Sequence, residues 1–315
     1  MTSNEPQEMQ GSDPWADWLL WRRHGVDPSH EADVRGQVES FRNRVLDGAG
    51  PLAGMTLLDV GAGDGLISFG AFERAGGSLK AILADVSKTL LRRAEERSVE
   101  LGLRDRCRFL HTSAERLDGV ADASADILAT RAVLAYVPDK AAAARQFHRV
   151  LKPGGRLSIA EPIYRDEALQ LAAFENALRS GQARSIAPQV QLMHRCRAAQ
   201  IPSTLEAIQK NPLTNFSERD LIPIFHTAGF SEIHLELHID LLKQPAVAWD
   251  TFIDAAPLPG TPTLREVFAA QLSDAERRLL EQEFRLLVET GQNMAQNTTA
   301  YLTARKPAQS GMMQQ

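Results

Sequence analysis

Cysteine is scarce in this chain of 315 residues, and basic residues do not outnumber acidic ones. The two cysteines, Cys107 and Cys196, are too few for a disulfide framework and have no spacing typical of a zinc site. A formal net charge of -5 argues against binding to a nucleic-acid backbone, which needs a basic excess. We therefore expect no metal, no nucleic-acid partner, a reducing compartment (the cytoplasm) and a small-molecule partner.

Long apolar runs are missing as well. No run approaches the roughly eighteen residues of a membrane span, and the polar, acidic start of the chain lacks the basic and apolar regions of a secretion signal. The basic residues are mostly arginine, which is typical of high-GC bacteria. We expect a bacterial protein that neither spans a membrane nor is secreted, with disordered tails at residues 1–13 and 307–315.

Apolar periodicity predicts two helices within residues 14–50, followed by alternating strands and helices. Strands are expected at Thr56–Val60, Lys80–Asp85, Cys107–His111, Ala125–Thr130 and Leu157–Glu161. Helices are expected at Leu66–Ala75, Lys88–Leu101 and Lys140–Val150. This alternation predicts an α/β fold whose parallel sheet is covered by helices on both faces.

A glycine loop follows the first predicted strand, in the sequence LDVGAGDG at 58–65. Glycine lets the backbone turn tightly and approach a ligand, and the helix that follows favours a negative group at its start. A dinucleotide loop, GxGxxG, would need glycine at Leu66, so NAD and FAD are disfavoured. The methionine carboxylate of S-adenosylmethionine (SAM) suits GxGxG, with Asp59 placed to meet the cofactor's ammonium group.

Asp85 closes the second predicted strand, about twenty residues after the glycines, as expected of one β-α-β unit. A carboxylate there can accept both ribose hydroxyls of a nucleoside cofactor. An aspartate after a strand is often a helix N-cap instead. Ser87 could serve as that cap and leave Asp85 free.

With these residues in place, the chain resembles the class I SAM-dependent methyltransferases, particularly the small-molecule branch that includes the ubiquinone/menaquinone methyltransferases. The likeness rests on LDVGAGDG, on Asp85, on the Ser113-Ala114-Glu115 turn, and on the stretch from Ala125-Asp126 to VLKPGG at 150–155. It implies a seven-stranded Rossmann-like sheet of order 3214576, with the last strand antiparallel and SAM across the carboxyl ends of the first strands.

The resemblance also implies which residues bind SAM. The cofactor-binding candidates are Asp59, Gly61, Ala62, Gly63, Asp85, Val86, Ser113, Ala114, Glu115 and Arg131. In the family an acidic residue commonly stands where this chain has Ser113 and receives the adenine amino group. Glu115 or water could supply that contact here.

On the acceptor side, alignment supplies much of the rate of methyl transfer, and a base is needed only if the acceptor must lose a proton. Arg131 is expected to face the acceptor or the cofactor's carboxylate, with a helix-capping or lid-bridging role as the alternative. Tyr164 and His194 are further acceptor-side candidates, weighed against structural roles. Aromatic residues could line an acceptor pocket or simply dock helices, namely Trp15, Trp18, Trp21, Trp249 and Phe252.

The predicted organisation places N-terminal lid helices at 14–50 and the SAM-binding core at 51–165. A helical lid insertion follows at 166–215, and the rest of the core is expected at 216–306. Within that last part we expect a helix at Ser217–Ala228 and strands at Phe230–Leu242 and Thr298–Ala304. A second helical insertion is expected between the two strands, at about 244–297.

We thus expect a SAM-dependent methyltransferase acting on oxygen, nitrogen or carbon of a small metabolite. The alternatives are a SAM-binding sensor or scaffold, a NAD-dependent dehydrogenase, and an arsenite methyltransferase, which would need more thiolates than Cys107 and Cys196 provide.

Overall fold

Seven strands form one mixed sheet in the computed structural model, which describes residues 13–182 and 185–308. The strands are β1 (Thr56–Val60), β2 (Lys80–Asp85), β3 (Cys107–His111), β4 (Ala125–Arg131), β5 (Leu151–Pro162), β6 (Ser231–Lys243) and β7 (Met294–Arg305). Their spatial order is β3-β2-β1-β4-β5-β7-β6, and β7 runs antiparallel to both of its neighbours. The predicted fold class and strand order are confirmed.

Twelve α-helices lie in the described residues. They are α1 (Pro14–Leu20), α2 (Pro28–Ala49), α3 (Leu66–Ala75), α4 (Lys88–Glu100), α5 (Lys140–Val150), α6 (Arg165–Arg179), α7 (Pro188–Ala198), α8 (Leu205–Lys210), α9 (Glu218–Thr227), α10 (Trp249–Asp254), α11 (Leu264–Gln271) and α12 (Asp274–Glu289). Polar caps define several of their starts. The Asp27 carboxylate accepts from the N–H groups of Ser29 and His30 at the start of α2, and proline follows it at the first helical position.

The sheet has an apolar core on each face because successive strand residues point to opposite sides. Leu57 and Ile127 lie in the core shared with α2, α3 and α4, whereas Leu58 and Leu128 lie in the core shared with α5, α6 and α9. All four side chains are fully buried. A strand buried on both faces reads as a continuous apolar run, which is why β1, β2 and β4 could be predicted closely.

The second half of α2 belongs to the core that covers the sheet. Val45 and Leu46 are buried, and the Ser158 hydroxyl on β5 donates to the Val45 carbonyl at 2.7 Å. By contrast α1 lies at the carboxyl edge of the sheet, where Trp15 meets Tyr136. Within the predicted lid at 14–50, the structure therefore leaves only the part before the middle of α2 in a position to cover that edge.

A third apolar cluster joins the two helical insertions. It draws on α7 from the first insertion and on α10, α11 and α12 from the second. Its buried members are Leu192, Cys196, Trp249, Ile253, Val267, Phe268, Leu272, Leu280 and Val288. The insertions therefore form one helical lobe, defined by this cluster, with an apolar interior of its own.

Several boundaries differ from the predicted ones, and for three of them the structure shows the reason. β7 begins at Met294 rather than at Thr298, because Ala295 and its neighbours pair with the far end of β6. β5 begins at Leu151, where it pairs with Ala125 before a bulge. Asp13, assigned to the disordered tail, caps α1 by accepting from the Ala16 N–H at 3.0 Å. Most of the two predicted tails lies outside the described residues.

Two glycines of α2 provide a test of this packing. A Cβ on Gly48 would lie 2.6 Å from the Ser158 hydroxyl oxygen and 2.8 Å from a Thr303 methyl group, whereas Gly36 has nothing within 4 Å. Gly48→Ala should therefore destabilise the protein by about 1–3 kcal/mol through overpacking. Gly36→Ala should stabilise it by about 0.5–1 kcal/mol through helix propensity.

Urea unfolding of both variants measures the two changes. Equal effects of the same sign would show that α2 does not pack on β5 and β7 as described.

Candidate active site

The glycine loop between β1 and α3 is fastened to the end of β2. The Ala84 carbonyl accepts from the N–H of Gly61 at 2.8 Å and from the N–H of Ala62 at 3.1 Å. These two N–H groups are therefore used within the protein and are not free to bind a ligand. The loop can instead provide open space for a ligand, which lies beside Gly63.

The three loop glycines have positive φ angles of 65°, 55° and 88°, at Gly61, Gly63 and Gly65. A Cβ on Gly61 would collide with Val133, and one on Gly65 would collide with Phe69. A Cβ on Gly63 would meet nothing within 4 Å. Packing thus requires glycine at the first and third positions, whereas Gly63 borders open space.

Asp59, at the carboxyl end of β1, is fully buried. Its Oδ2 accepts from the N–H and the hydroxyl of Ser68 at 3.0 and 2.7 Å, while its Oδ1 has no partner among the described residues. Burial raises the pKa of this carboxyl group from 3.8 to about 7. Oδ1 is thus a buried acceptor that lacks a donor among the described residues.

Asp85 links the end of β2 to the glycine loop. Its Oδ2 accepts from the Gly63 N–H and its Oδ1 from the Ser87 N–H, both at 2.8 Å. Ser87 caps α4 by accepting from the Leu90 N–H at 3.0 Å, as the sequence allowed. Asp85 is thus bonded rather than free, but each carboxylate oxygen can accept a second hydrogen bond.

The residues predicted to flank adenine lie beside Asp85. Parallel pairing aligns Asp85 with His111, and the Thr112 N–H donates to the Asp85 carbonyl at 3.0 Å. The Ser113-Ala114-Glu115 turn follows directly. Val86 is 48% exposed, unusual for valine, and offers an apolar surface next to Asp85. The structure therefore brings together the predicted residues of β1, β2 and the turn after β3.

Glu161, at the end of β5, holds the loop that follows β4. It is fully buried and accepts from the Val133 N–H at 3.1 Å, the Ala135 N–H at 3.0 Å and the Thr130 hydroxyl at 3.2 Å. These donors occupy both carboxylate oxygens. Glu161 is a loop anchor and is poorly suited to act as a general base.

Arg131 ends β4 above that anchor and is partly exposed. Its guanidinium makes no hydrogen bond or ion pair within residues 13–182 and 185–308, so neither the capping nor the bridging alternative describes it. Burial lowers its pKa, and the groups that partly offset this are Tyr136, Asp64, Glu161 and Tyr301. An arginine in this state is available to a ligand.

The two other acceptor-side candidates, Tyr164 and His194, lie in different surroundings. Tyr164 lies at the start of α6, close to Tyr136, and burial raises the pKa of both phenols. The His194 ring instead lies between α6 and α7, where Nε2 is 2.9 Å from the Leu171 carbonyl and the ring packs on Phe174. Tyr164 therefore lies near Tyr136 at the carboxyl edge of the sheet, whereas His194 packs between two helices.

The aromatic residues also separate into two groups. Trp15 packs edge-on against Tyr136, with ring centroids 5.0 Å apart, and the Trp18 indole N–H donates to the Ala256 carbonyl at 2.8 Å. Trp21 is 53% exposed. Trp249 and Phe252 stack inside the helical lobe and do not line the carboxyl edge. Of these aromatic residues, Trp15 contacts the carboxyl edge of the sheet, and Trp18 lies on the same helix.

The two cysteines lie in different apolar clusters, Cys107 beside the sheet and Cys196 in the helical lobe. Burial raises the pKa of each thiol to about 11, which disfavours the thiolates that an arsenite methyltransferase needs. Across the described ranges no group of three or more His, Cys, Asp or Glu side chains could hold a metal ion. Likewise no helix there is long and apolar enough to cross a bilayer.

A sheet of this order, with a glycine loop after β1 and an acidic residue ending β2, defines the class I SAM-dependent methyltransferases. A family model described as a methyltransferase domain matches residues 51–221, so the chain belongs to that family. It is a SAM-dependent methyltransferase of a small-molecule type, and SAM is its cofactor. Its acceptor is not fixed by the family.

Curated relatives are named for quinone biosynthesis. The chain is 30% identical to the ubiquinone biosynthesis O-methyltransferase of Ralstonia nicotianae over 197 residues, which cover 60% of this chain and 80% of that one. It is 34% identical to the ubiquinone/menaquinone biosynthesis C-methyltransferase of Hahella chejuensis, over 38% of this chain and 48% of the relative. The chain thus spans about half the length of that C-methyltransferase.

Solved structures share the fold at low identity. The YcgJ protein of Bacillus subtilis is 20% identical with a TM-score of 0.52, over 88% of this chain and 98% of that one. A protein of Bacillus halodurans is 17% identical with a TM-score of 0.50, over 85% of this chain and all of that one.

Sequence reasoning missed several residues that shape the site. Ser68, nine residues after Asp59, holds that carboxylate through its N–H and its hydroxyl. Asp13 also reaches the site, since the Ser87 hydroxyl donates to its carboxylate at 2.6 Å.

The Gly63 position can be tested against a glycine of similar conformation. Gly63→Val should weaken SAM binding by tenfold or more, roughly, because the side chain would fill space that the ligand approaches. Gly54 also has a positive φ, 74°, and nothing within 4 Å of a Cβ. Gly54→Val should carry comparable backbone strain and leave SAM affinity unchanged. Calorimetric titration of both folded variants decides, and normal SAM affinity in Gly63→Val would contradict the proposed place of the loop.

Asp59 makes two quantities change with pH in opposite directions. Since its folded pKa is raised to about 7, its contribution to stability falls as pH rises from about 4 to 7, where the folded state holds the proton and the unfolded state does not. SAM affinity should rise as pH passes through about 7, because the ionised carboxylate attracts the ammonium group.

The difference between the native protein and Asp59→Asn isolates both effects, measured by chemical unfolding and by titration from pH 5 to 7.5. Parallel pH profiles for the two proteins would remove Asp59 from the cofactor site.

Proposed function

We propose that this enzyme moves the methyl group of SAM to an oxygen, nitrogen or carbon of a small, flat acceptor at the carboxyl ends of β1, β2 and β4. The observation that carries the proposal is the 2.8 Å bond from the Gly63 N–H to the Asp85 carboxylate. It joins the glycine loop to the acidic residue of the neighbouring strand, so both border one space. Ligands of open α/β sheets bind at this edge.

In this proposal SAM lies across the loop. The free Oδ1 of Asp59 receives the ammonium group, the space beside Gly63 takes the methionine portion, and Asp85 accepts from the ribose hydroxyls. Val86 and the Ser113-Ala114-Glu115 turn flank the adenine. Gly61 and Ala62 contribute through their attachment to Ala84 rather than through free N–H groups.

The acceptor lies on the side of Arg131, Tyr136 and Tyr164, beneath Trp15. With raised pKa values, the two tyrosines stay protonated near neutral pH and can only position the acceptor by hydrogen bonding. The residues here serve alignment of acceptor, methyl and sulfur, which is the larger part of what this displacement needs. His194 is left out because its ring is engaged elsewhere.

Two further parts of the proposal concern the acceptor's class and the compartment. Aromatic side chains at the edge and relatives named for quinone biosynthesis support a flat acceptor rather than a nucleic acid, in keeping with the net charge of -5. Two free, buried cysteines fit the cytoplasm.

Turnover tests the proposal directly. Purified protein is incubated with methyl-labelled SAM and a metabolite extract of the producing organism, and we expect a labelled product together with S-adenosylhomocysteine. Tight SAM binding with no labelled species in any extract would favour a sensor or scaffold.

The role of Asp85 has a matched control in Asp126. The Asp126 carboxylate also accepts a backbone N–H, that of Thr56 at 2.9 Å, but it lies near the start of β4, at the opposite edge of the sheet. Asp85→Ala should weaken SAM binding by roughly 1–3 kcal/mol, because ribose hydroxyls lose a charged acceptor. Asp126→Ala should cost stability and leave SAM affinity unchanged. If calorimetry showed equal SAM affinity for both folded variants, Asp85 would not contact the cofactor.

A further inference from the structure

An exposed apolar stripe runs along the second half of β6. Successive strand residues point to opposite faces of a sheet, so Leu237, Ile239 and Leu241 lie on one face. Their exposed fractions lie between 39% and 65%. The earlier residues of the same face, Ile233 and Leu235, pack against the core that the sheet shares with α9. The face therefore continues the apolar core, but it is exposed from Leu237 onward, and an exposed apolar patch of this kind marks an interaction surface.

The strand that carries this stripe is the last one of the sheet, and across the described ranges no strand pairs with its outer side. Proteins commonly protect such an edge with a bulge, a proline or a lysine. β6 has these features only at its ends. Its pairing with β7 is irregular between Ser231 and His234, and Lys243 and Pro245 stand at the far end. The stretch His234–Leu242 is left regular, with backbone N–H and C=O groups that a further strand can bind.

The opposite face of β6 carries groups that alternate between basic and acidic. His234, Glu236, His238 and Asp240 follow one another at every second position. The Glu236 carboxylate lies 3.4 Å from Nε2 of His234 and 3.0 Å from Nε2 of His238, and Arg44 of α2 lies 3.4 Å from it as well. Because histidine donates hydrogen bonds to carboxylates, a strand with this alternation can complement a second copy of itself.

Two copies related by a two-fold axis meet through the same surface on each. An axis perpendicular to the sheet makes the two edge strands antiparallel and keeps like faces on the same side. With the axis at Leu237, the two Leu237 side chains lie opposite each other. Leu235 of one copy then lies opposite Ile239 of the other, and Ile233 lies opposite Leu241. The exposed half of each stripe thus lies beside the half of the other stripe that is packed on α9.

The polar face favours the same alignment. With the axis at Leu237, Glu236 lies opposite His238 of the second copy, and His234 lies opposite Asp240. Moving the axis by one residue, to His238, would bring Glu236 opposite Asp240. Like charges that lie directly opposite each other destabilise a pair of strands. The charge pattern therefore complements an antiparallel partner whose axis falls on an apolar residue of β6.

We propose that β6 is a self-association surface, through which two copies of this chain join their sheets edge to edge about Leu237. A second copy satisfies all three features at once, because it covers the apolar stripe, pairs the free backbone groups and places acidic groups opposite histidines. A lipid surface would cover the stripe alone. The axis reverses the strand direction, so the cofactor sites of the two copies open at opposite edges of the joined sheet. We therefore expect association to leave SAM affinity unchanged.

Sedimentation equilibrium over a wide range of protein concentrations tests the proposal, and we expect a dimer. Leu237→Lys brings two like charges together at the axis and should weaken association by roughly tenfold or more. Ile239→Lys should act in the same direction. Leu286→Lys is the matched control, since Leu286 is an exposed apolar residue of α12, and it should dimerise like the native protein. Calorimetry should find native SAM affinity in every variant, which shows that each one is folded.

A native protein that stayed monomeric at every concentration would overturn the proposal, and so would a dimer that neither lysine variant on β6 weakened. A monomer that bound phosphatidylglycerol vesicles and lost this binding in Ile239→Lys would assign the stripe to a lipid surface instead.

Cysteine cross-linking tests the position of the axis. Leu237→Cys should form a disulfide between the two copies under mild oxidation, because opposite residues of antiparallel strands lie within reach of a disulfide. The native Cys107 and Cys196 are buried, and Leu286→Cys should not cross-link. A cross-link through Ile239→Cys but not through Leu237→Cys would contradict the axis at Leu237. A dimer that neither β6 cysteine cross-linked would contradict edge pairing altogether.

Discussion

The Ala84 carbonyl, at the end of β2, accepts from two successive N–H groups of the glycine loop, and the Asp85 carboxylate next to it accepts from a third. These bonds are available only because β1 and β2 are parallel and in register, with Val60 opposite Ala84. The loop's course is therefore set by the pairing of two buried strands. The hydrogen bond from the Gly63 N–H to Asp85 fixes the position of Gly63, and therefore also the position of the open space beside it.

Glu161 fixes the loop after β4, just as Ala84 and Asp85 fix the glycine loop after β1. Parallel pairing of β4 with β5 brings it under the loop after Arg131, and backbone donors from Val133 and Ala135 converge on it. A buried carboxylate that lost these donors would cost several kcal/mol, so loop and anchor stay together. The loop that follows Arg131 is thus held by a carboxylate whose two oxygens are taken up by donors of the protein itself.

The sequence predicted most of what depends on local pattern. β1, β2 and β3 are residue-exact. For β1 and β2 the reason is that mostly buried strands form bounded apolar runs, whereas β3 is a half-exposed edge strand. Asp59 and Asp85 were found from their places at strand ends. β7 was predicted four residues short, since Met294–Asn297 is extended only through its pairing with β6. His194 looked available because its contact with Leu171, on another helix, has no sequence signal.

The N-terminal segment around α1, which lies over the carboxyl edge of the sheet, is joined to the second helical insertion. The Trp18 indole donates to the Ala256 carbonyl, and Arg22 pairs with Glu266, so the segment that carries Arg23 is held by the second insertion. A ligand that enters beneath Trp15 must displace both elements or pass between them. In the proposed function, discrimination between acceptors depends on this N-terminal segment and on the loop after β4 that Glu161 anchors.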